Sequence, residues 1–167
     1  MLYKTTYKSP IGLLTLASDG ENLVGLWIEG QKYFGAGLGN FAQENGSLKI
    51  FSDTKNWLDR YFCGERPEIS ELPLAPRGSQ FRQAVWKILC GIPYGKVTTY
   101  GEIAKKIAGQ SGKNMCAQAV GGAVGHNPIS VIIPCHRVVA KDGRLTGYAG
   151  GIENKIKLLE LENADMS

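Results

Sequence analysis

Between residues 66 and 78 the chain carries Pro67, Pro73, Pro76 and Gly78, and its character changes across that stretch. Proline fixes φ and lacks the N–H that helix interiors and sheet ladders require, so the segment excludes a regular element and reads as a linker. Before it, apolar residues alternate at the strand period; after it, they recur at the helix period. The charge balance reverses at the same place. Residues 1–75 hold 7 Lys and Arg against 9 Asp and Glu, a net of −2, whereas residues 76–167 hold 12 against 6, a net of +6. The pattern predicts two domains, 1–75 and 76–167, in an α/β (α+β) chain. With 167 residues and 43% apolar content, the chain has material for an ordinary globular core.

In the first half, alternation predicts strands over 2–7, 11–17 and 23–28, broken by Ser9-Pro10 and Asp19-Gly20. Strands joined by such short turns form an antiparallel meander. Residues 30–46 hold five glycines and read as a loop. A helix over 54–63 follows, with Trp57, Leu58, Tyr61 and Phe62 as its apolar stripe and Gly64 as a cap.

The second half predicts a helix capped by Ser79 and carrying Phe81, Val85, Ile88 and Leu89 on one side. Residues 97–99 are short and extended. Helices over 101–108 and 114–124, separated by Gly109-Gln110-Ser111-Gly112-Lys113, have the outline of a helix-turn-helix. A last helix spans 152–163. The helix over 114–124 is poor in bulk: Ala117-Gln118-Ala119-Val120-Gly121-Gly122-Ala123-Val124. Each interior glycine costs about 1 kcal/mol against alanine, so the pair calls for a reason. Either a neighbouring helix packs closely there, or the backbone must approach a second surface such as a narrow nucleic-acid groove. The basic half allows the second, because clustered positive charge attracts polyanions.

Four cysteines, Cys63, Cys90, Cys116 and Cys135, are scattered without a C-x-x-C pair and read as free thiols. Only two histidines exist, His126 and His136, so no metal site and no cofactor is expected. The N-terminus lacks the apolar core of a signal peptide and no stretch reaches membrane-span length, so a cytoplasmic protein without membrane contact is expected. One thiol stands apart. Cys135 directly precedes His136, behind Val131-Ile132-Ile133-Pro134, which reads as a short buried strand ended by proline. A thiol reacts as thiolate, and an adjacent base is one way to produce it. A small buried hydrophobe is the competing reading of such a cysteine.

Ile133-Pro134-Cys135-His136-Arg137-Val138 resembles the active-site motif of the O6-alkylguanine-DNA alkyltransferases, the methylated-DNA–protein-cysteine methyltransferases. The resemblance extends over residues 79–162. It takes in Thr99-Tyr100-Gly101-Glu102-Ile103-Ala104, Ala119-Val120-Gly121-Gly122-Ala123, Asn127-Pro128, Gly147-Tyr148-Ala149-Gly150-Gly151 and Leu158-Leu159-x-x-Glu162. It implies a ribonuclease H-like first domain and a winged helix-turn-helix-like second one. It also implies an activity: a monomer binds double-stranded DNA in the minor groove, flips an O6-alkylguanine (O4-alkylthymine is a further candidate) and takes its alkyl group irreversibly onto Cys135. On this resemblance Cys135 is the nucleophile, His136 its base through a bound water, Glu162 the group that orients His136, and Asn127 a brace of the turn. Tyr100, Val138, Tyr148, Ala149 and Gly150 would hold the base. Thr99, Lys113, Ala117, Gln118, Ala119, Gly121 and Gly122 would meet DNA. Arg137 reads as structural.

One position departs from the family pattern. Gln118 stands where many members place an arginine that fills the gap left by the flipped base. A glutamine can hydrogen-bond there but carries no charge. Two alternatives accompany the main reading: an alkyltransferase-like DNA binder, whose kind lacks the reactive cysteine that Cys135 supplies, and a Cys–His hydrolase, for which no oxyanion-hole motif is visible.

Overall fold

The computed structural model describes residues 1–38, 42–112, 116–145 and 147–164. Two units emerge: Met1–Arg77 with Pro128–Ile132, and Gly78–Asn127 with Ile133–Ser167. A division by chain order alone therefore misses five residues, 128–132, which cluster with the first unit.

The first unit is built on strands β1 (Tyr3–Ser9), β2 (Gly12–Ser18) and β3 (Leu23–Ile28), antiparallel neighbours as the alternation predicts. β1 runs on to Ser9, which pairs with Gly12 across the two-residue loop Pro10-Ile11. Gly12 has φ 111°, a conformation that L side chains rarely adopt. A two-residue strand β4 (Gln43–Glu44) lies parallel to β1, within the stretch expected to be loop. β3 is buried along its whole length. The ring of Trp27 lies over Gly25, where an added Cβ would come within 2.1 Å of it. Helix α1 (Lys49–Phe62) starts five residues before the predicted boundary because Ile50 and Phe51 already belong to its buried face.

The outer edge of β3 is closed by two passing segments. Leu23 N donates to Pro73 O and Ala75 N to Leu23 O, each at 2.8 Å. Leu26 N donates to Pro128 O at 2.8 Å and Ser130 N to Leu26 O at 2.9 Å. An edge so engaged offers no free ladder to another chain. Beyond this bridge the chain turns rather than extends. Val131 has φ 72°, and Ile132 N donates to Ser130 O at 2.8 Å, closing a γ-turn with positive φ. That conformation costs a β-branched residue on the order of 1–3 kcal/mol. The strand expected over Val131-Ile132-Ile133 is thus corrected: the residues are buried as their composition demands, but as a tight turn.

In the second unit, α2 (Gln80–Cys90) is capped by Ser79, whose Oγ accepts from Arg82 N at 3.2 Å. Its buried face is Val85, Trp86 and Leu89, and Trp86 Nε1 donates to Ala123 O at 2.8 Å. Strand β5 (Thr98–Thr99) leads directly into α3 (Tyr100–Ser111), which Thr99 caps and Gly112 ends at φ 72°. Helix α4 (Ala117–Gly125) has Cys116 as its N-cap; the predicted start at 114 lies outside the described residues. A single 3-10 turn, Cys135–Arg137, leads into strand β6 (Val138–Val139), which pairs parallel with β5. Helix α5 (Ile152–Leu161) closes the unit. Among the described residues no helix is long and apolar enough to cross a membrane.

Candidate active site

The 3-10 turn puts three consecutive functional side chains, Cys135, His136 and Arg137, into the interior of the second unit, all buried. Pro134 precedes them, and Cys135 N donates to Ile133 O at 2.8 Å, so the nucleophile candidate leaves one tight turn and enters another. Asn127 lies just past the end of α4. Its Nδ2 donates to Ile133 O at 2.9 Å and to Cys135 Sγ at 3.1 Å, fixing backbone and thiol together. Cys135 retains 5% of its accessible surface. Burial pushes its thiol pKa up, while the Asn127 hydrogen bond, the Lys155 charge and the Tyr148 hydroxyl pull it back without overcoming that rise. At neutral pH the thiol holds its proton.

His136 and Glu162 meet at 2.6 Å, Nε2 to Oε2, with both side chains fully buried. Glu162 stands at the C-cap of α5. Arg137 Nε donates to Glu162 Oε1 at 2.8 Å and Nη2 to Oε2 at 3.2 Å, and Gly95 N donates to Oε1 at 3.2 Å. Burial alone would raise the carboxyl pKa, but the hydrogen bonds and charges of His136 and Arg137 outweigh it and hold Glu162 down at about 2. An ionised carboxylate only accepts, so the proton of the imidazole sits on Nε2. Nδ1 is left as the acceptor; it is buried and has no hydrogen-bond partner among the described residues. Burial pushes the His136 pKa down; Glu162 raises it, and Arg137 and Lys155 lower it. The resting group is a neutral imidazole with its lone pair on Nδ1, a base that has not yet taken a proton.

Lys155 is the residue that sequence reading missed. It is fully buried, and its Nζ donates to Val138 O at 2.6 Å and Gly147 O at 3.2 Å. Burial lowers its pKa to about 8, against the attraction of Cys135. Its signal was present: Lys155, Leu158, Leu159 and Glu162 share one buried stripe of α5 at helical spacing, and two of them are charged.

The residues expected around a substrate base are distributed as follows. Tyr100 opens α3, half-buried. The carbonyls of Cys135 and Val138 already accept, from Val138 N and Lys155 Nζ respectively, which leaves each a second lone pair. Tyr148 presents its ring edge-on to His136, with centroids 6.5 Å apart. Ala149 is half-buried, and the buried Gly150 gives its carbonyl to Asn154 Nδ2 at 2.8 Å. Of the residues expected at DNA, Ala117, Gln118 and Ala119 are exposed on the first turn of α4. The Thr99 hydroxyl accepts from Glu102 N at 3.1 Å as the cap of α3. A Cβ on Gly121 would meet the Tyr100 ring at 3.8 Å, an ordinary contact, and one on Gly122 would meet nothing within 4 Å. Packing inside the unit therefore requires neither glycine. Lys113 lies outside the described residues.

The chain is similar to known proteins over nearly its whole length. Residues 80–164 match the profile described as 6-O-methylguanine DNA methyltransferase, DNA binding domain, and residues 2–76 match that family's ribonuclease-like domain. The chain belongs to the 6-O-methylguanine DNA methyltransferase family. It is 44% identical over 161 residues to the methylated-DNA--protein-cysteine methyltransferase of Haemophilus influenzae, spanning 96% of this chain and 86% of that protein. It is 45% identical over 164 residues to the protein of the same name from Mycobacterium bovis, spanning 98% and 94%. A crystal structure of Mycobacterium tuberculosis OGT in complex with DNA superposes with a TM-score of 0.85 at 44% identity, covering 96% of this chain and 92% of the other. The mixed α/β architecture is that of these relatives.

Proposed function

We propose that this protein repairs DNA by direct reversal, moving the alkyl group of O6-alkylguanine irreversibly onto Cys135. The observation that carries the reading is a buried thiol followed in the chain by a buried imidazole whose Nε2–H is fixed by an ionised carboxylate, which leaves the buried Nδ1 as the base. Family membership supplies the substrate class.

The chemistry follows from the protonation states. The thiol proton passes to His136 Nδ1, through the bound water that the family resemblance implies. The resulting imidazolium is stabilised by Glu162, and the thiolate by Lys155 and the Asn127 amide. The thiolate then attacks the alkyl carbon in line. The S–C bond forms, the C–O6 bond breaks, and the electron pair stays on guanine, which takes up a proton. A thioether does not hydrolyse, so each chain acts once. This is the nucleophile, base and orienting group of acyl-transfer enzymes without a second, water-driven half.

A buried thiol reaches its target only if the base leaves the helix, and enzymes that act on base atoms flip them out of the stack. Helix α4 is the element suited to enter a groove: its front turn is small and exposed, and Gly122 leaves its backbone bare. Small residues suit the narrow minor groove, and the +6 charge of residues 76–167 suits phosphate contact that weakens with salt. Tyr100, at the start of α3, assists rotation of the nucleotide; Gln118 occupies the gap; Tyr148, Ala149 and Gly150 cover the flipped base. The reading keeps the expectation of a cytoplasmic monomer.

The test is an intact-mass measurement after incubation with duplex DNA carrying O6-methylguanine. The expected product is heavier by one methylene, mapped to the peptide that contains Cys135, and Cys135→Ala binds the DNA without gaining mass. Reduced, folded protein that leaves the lesion intact and gains no mass would overturn the proposal.

A further inference from the structure

Arg137 is buried in the same turn as the nucleophile candidate, and two of its guanidinium nitrogens bind the carboxylate that holds the base. Its Nε and Nη2 grip both oxygens of Glu162 at 2.8 and 3.2 Å, and Oε2 is also the oxygen bound by His136 Nε2 at 2.6 Å. Nη1 donates to Ile92 O at 2.7 Å, and the guanidinium carbon lies 5.7 Å from the centroid of the Tyr94 ring. The fork cannot swing away: Ile92 and Tyr94 hold it, and Gly95 N from the same loop adds a fourth donor to the carboxylate. A planar guanidinium is the side chain suited to this bidentate grip, and it stays charged at any working pH.

Such an arrangement has two electrostatic consequences. A carboxylate with both oxygens doubly engaged has no site for a proton, so it cannot take one from His136. A fixed cation on the far side of that carboxylate also opposes the formation of imidazolium, since like charges a few ångströms apart disfavour each other. The charged and titratable groups that act on or contact His136 are Glu162 at the C-cap of α5, Lys155 from α5, Arg137 from its own turn and Tyr148 from the loop before α5, with Cys135 its neighbour in the chain. Glu162 favours the protonated ring; Arg137 and Lys155 oppose it. Of these two cations, Arg137 is the one bonded to the carboxylate oxygen that the imidazole also binds.

We propose that Arg137 is a positioning residue that keeps His136 neutral, with its proton on Nε2, by holding the shared Glu162 carboxylate from the opposite side. It thereby sets the pH below which the base is already occupied and alkyl transfer stops. The kinetic part rests on the alkyl-transfer reading; the tautomer and the titration of His136 do not.

The experiment combines NMR and kinetics on the full chain. The chain has two histidines, so a His126→Gln background leaves one imidazole to follow. In the wild-type residue, 15N shifts are expected to report a neutral ring protonated at Nε2 between about pH 6 and 8. An imidazolium, or a ring protonated at Nδ1, in that range overturns the proposal without any variant at Arg137. In Arg137→Gln the His136 titration and the acid limb of the single-turnover rate are both expected to move up by about one pH unit. Arg137→Lys, which keeps the charge and loses the fork, is expected to recover most of that shift while transferring more slowly than wild type. A folded Arg137→Gln protein with an unmoved or lowered titration overturns the proposal, as does loss of thermal stability with an unchanged pH profile. Failure of the wild-type protein to transfer a methyl group would refute the functional reading instead and leave the NMR result to stand alone.

Discussion

Helices α4 and α5 are both short and both belong to the second unit, yet their unusual residues answer to opposite surroundings. In α5 the oddities are charges, Lys155 and Glu162, turned inward and matched there by carbonyls, a guanidinium and an imidazole. In α4 the oddities are absences of side chain, and nothing within the unit requires them: a Cβ at Gly122 would meet open space. A residue that violates a local rule and is explained by its neighbours marks internal machinery. One that violates a rule with no internal cause marks a surface shaped for something else.

The comparison breaks most readily at Glu162. Glu162→Gln keeps the shape of the side chain but removes the charge that fixes the imidazole and stabilises its protonated form. Single-turnover transfer is expected to fall on the order of 10²-fold or more, the scale of general base catalysis. The same variant tests acid stability. A carboxyl held at about 2 stabilises the fold above its unfolded value near 4.5, and that contribution drains away as pH falls between the two. Acid unfolding of wild type should steepen through that window relative to Glu162→Gln; superimposable curves would show that the ion pairs contribute nothing.

Lys155 gives the next effect: folding disfavours its charged form, where it favours that of Glu162, and stability again rises with pH, in a higher window. Its folded pKa, about 8, lies below its ordinary 10.5. Between these values the unfolded chain binds more protons than the folded one, so stability rises with pH. Denaturation of wild type against Lys155→Met across that window should show the rise in the first and its absence in the second. Transfer by Lys155→Met at neutral pH should drop about tenfold, as expected when a thiolate loses a nearby cation.

In α4 the expected effects are smaller and split by kind. Gly122→Ala should stabilise the free protein by about 0.5–1 kcal/mol, because it improves helix propensity in open space. It should at the same time weaken binding to duplex DNA. Thermal melts and a salt-controlled binding isotherm check both halves; gain of stability with unchanged affinity would remove α4 from the interface. Gln118→Arg is the mildest case, with DNA binding or repair improved a few-fold through added charge. An unchanged affinity and rate would count against a finger role at this position.

Much of this was legible in the sequence where one face of an element is buried and the other is not. The meander β1–β3 follows from alternation, and the caps at Ser79 and Gly64 lie where side-chain chemistry puts them. The approach to Cys135 was misread because Val131, Ile132 and Ile133 are buried on all sides, and a fully apolar run carries no period to separate a strand from a turn. The γ-turn at Val131 contradicts the preference of a β-branched residue, so no propensity could announce it. Cys116, a weak capping residue, gives the sequence no clear mark for the start of α4. Lys155 escaped notice because lysine is read as solvent-facing; its spacing to Leu158, Leu159 and Glu162 was the better guide. Arg137, read as structural, holds the same carboxylate as the base.

The two-residue ladder between Thr98–Thr99 and Val138–Val139 is as short as a sheet can be. One of its strands runs straight into Tyr100 and α3; the other emerges straight from Arg137. The front of α3 and the reactive turn are therefore stitched into one small opening unit. A fluctuation that unzips the ladder releases both, and their amides should exchange with solvent at a common rate. The lifetime of the buried thiol's turn and the lifetime of the start of α3 are then one clock.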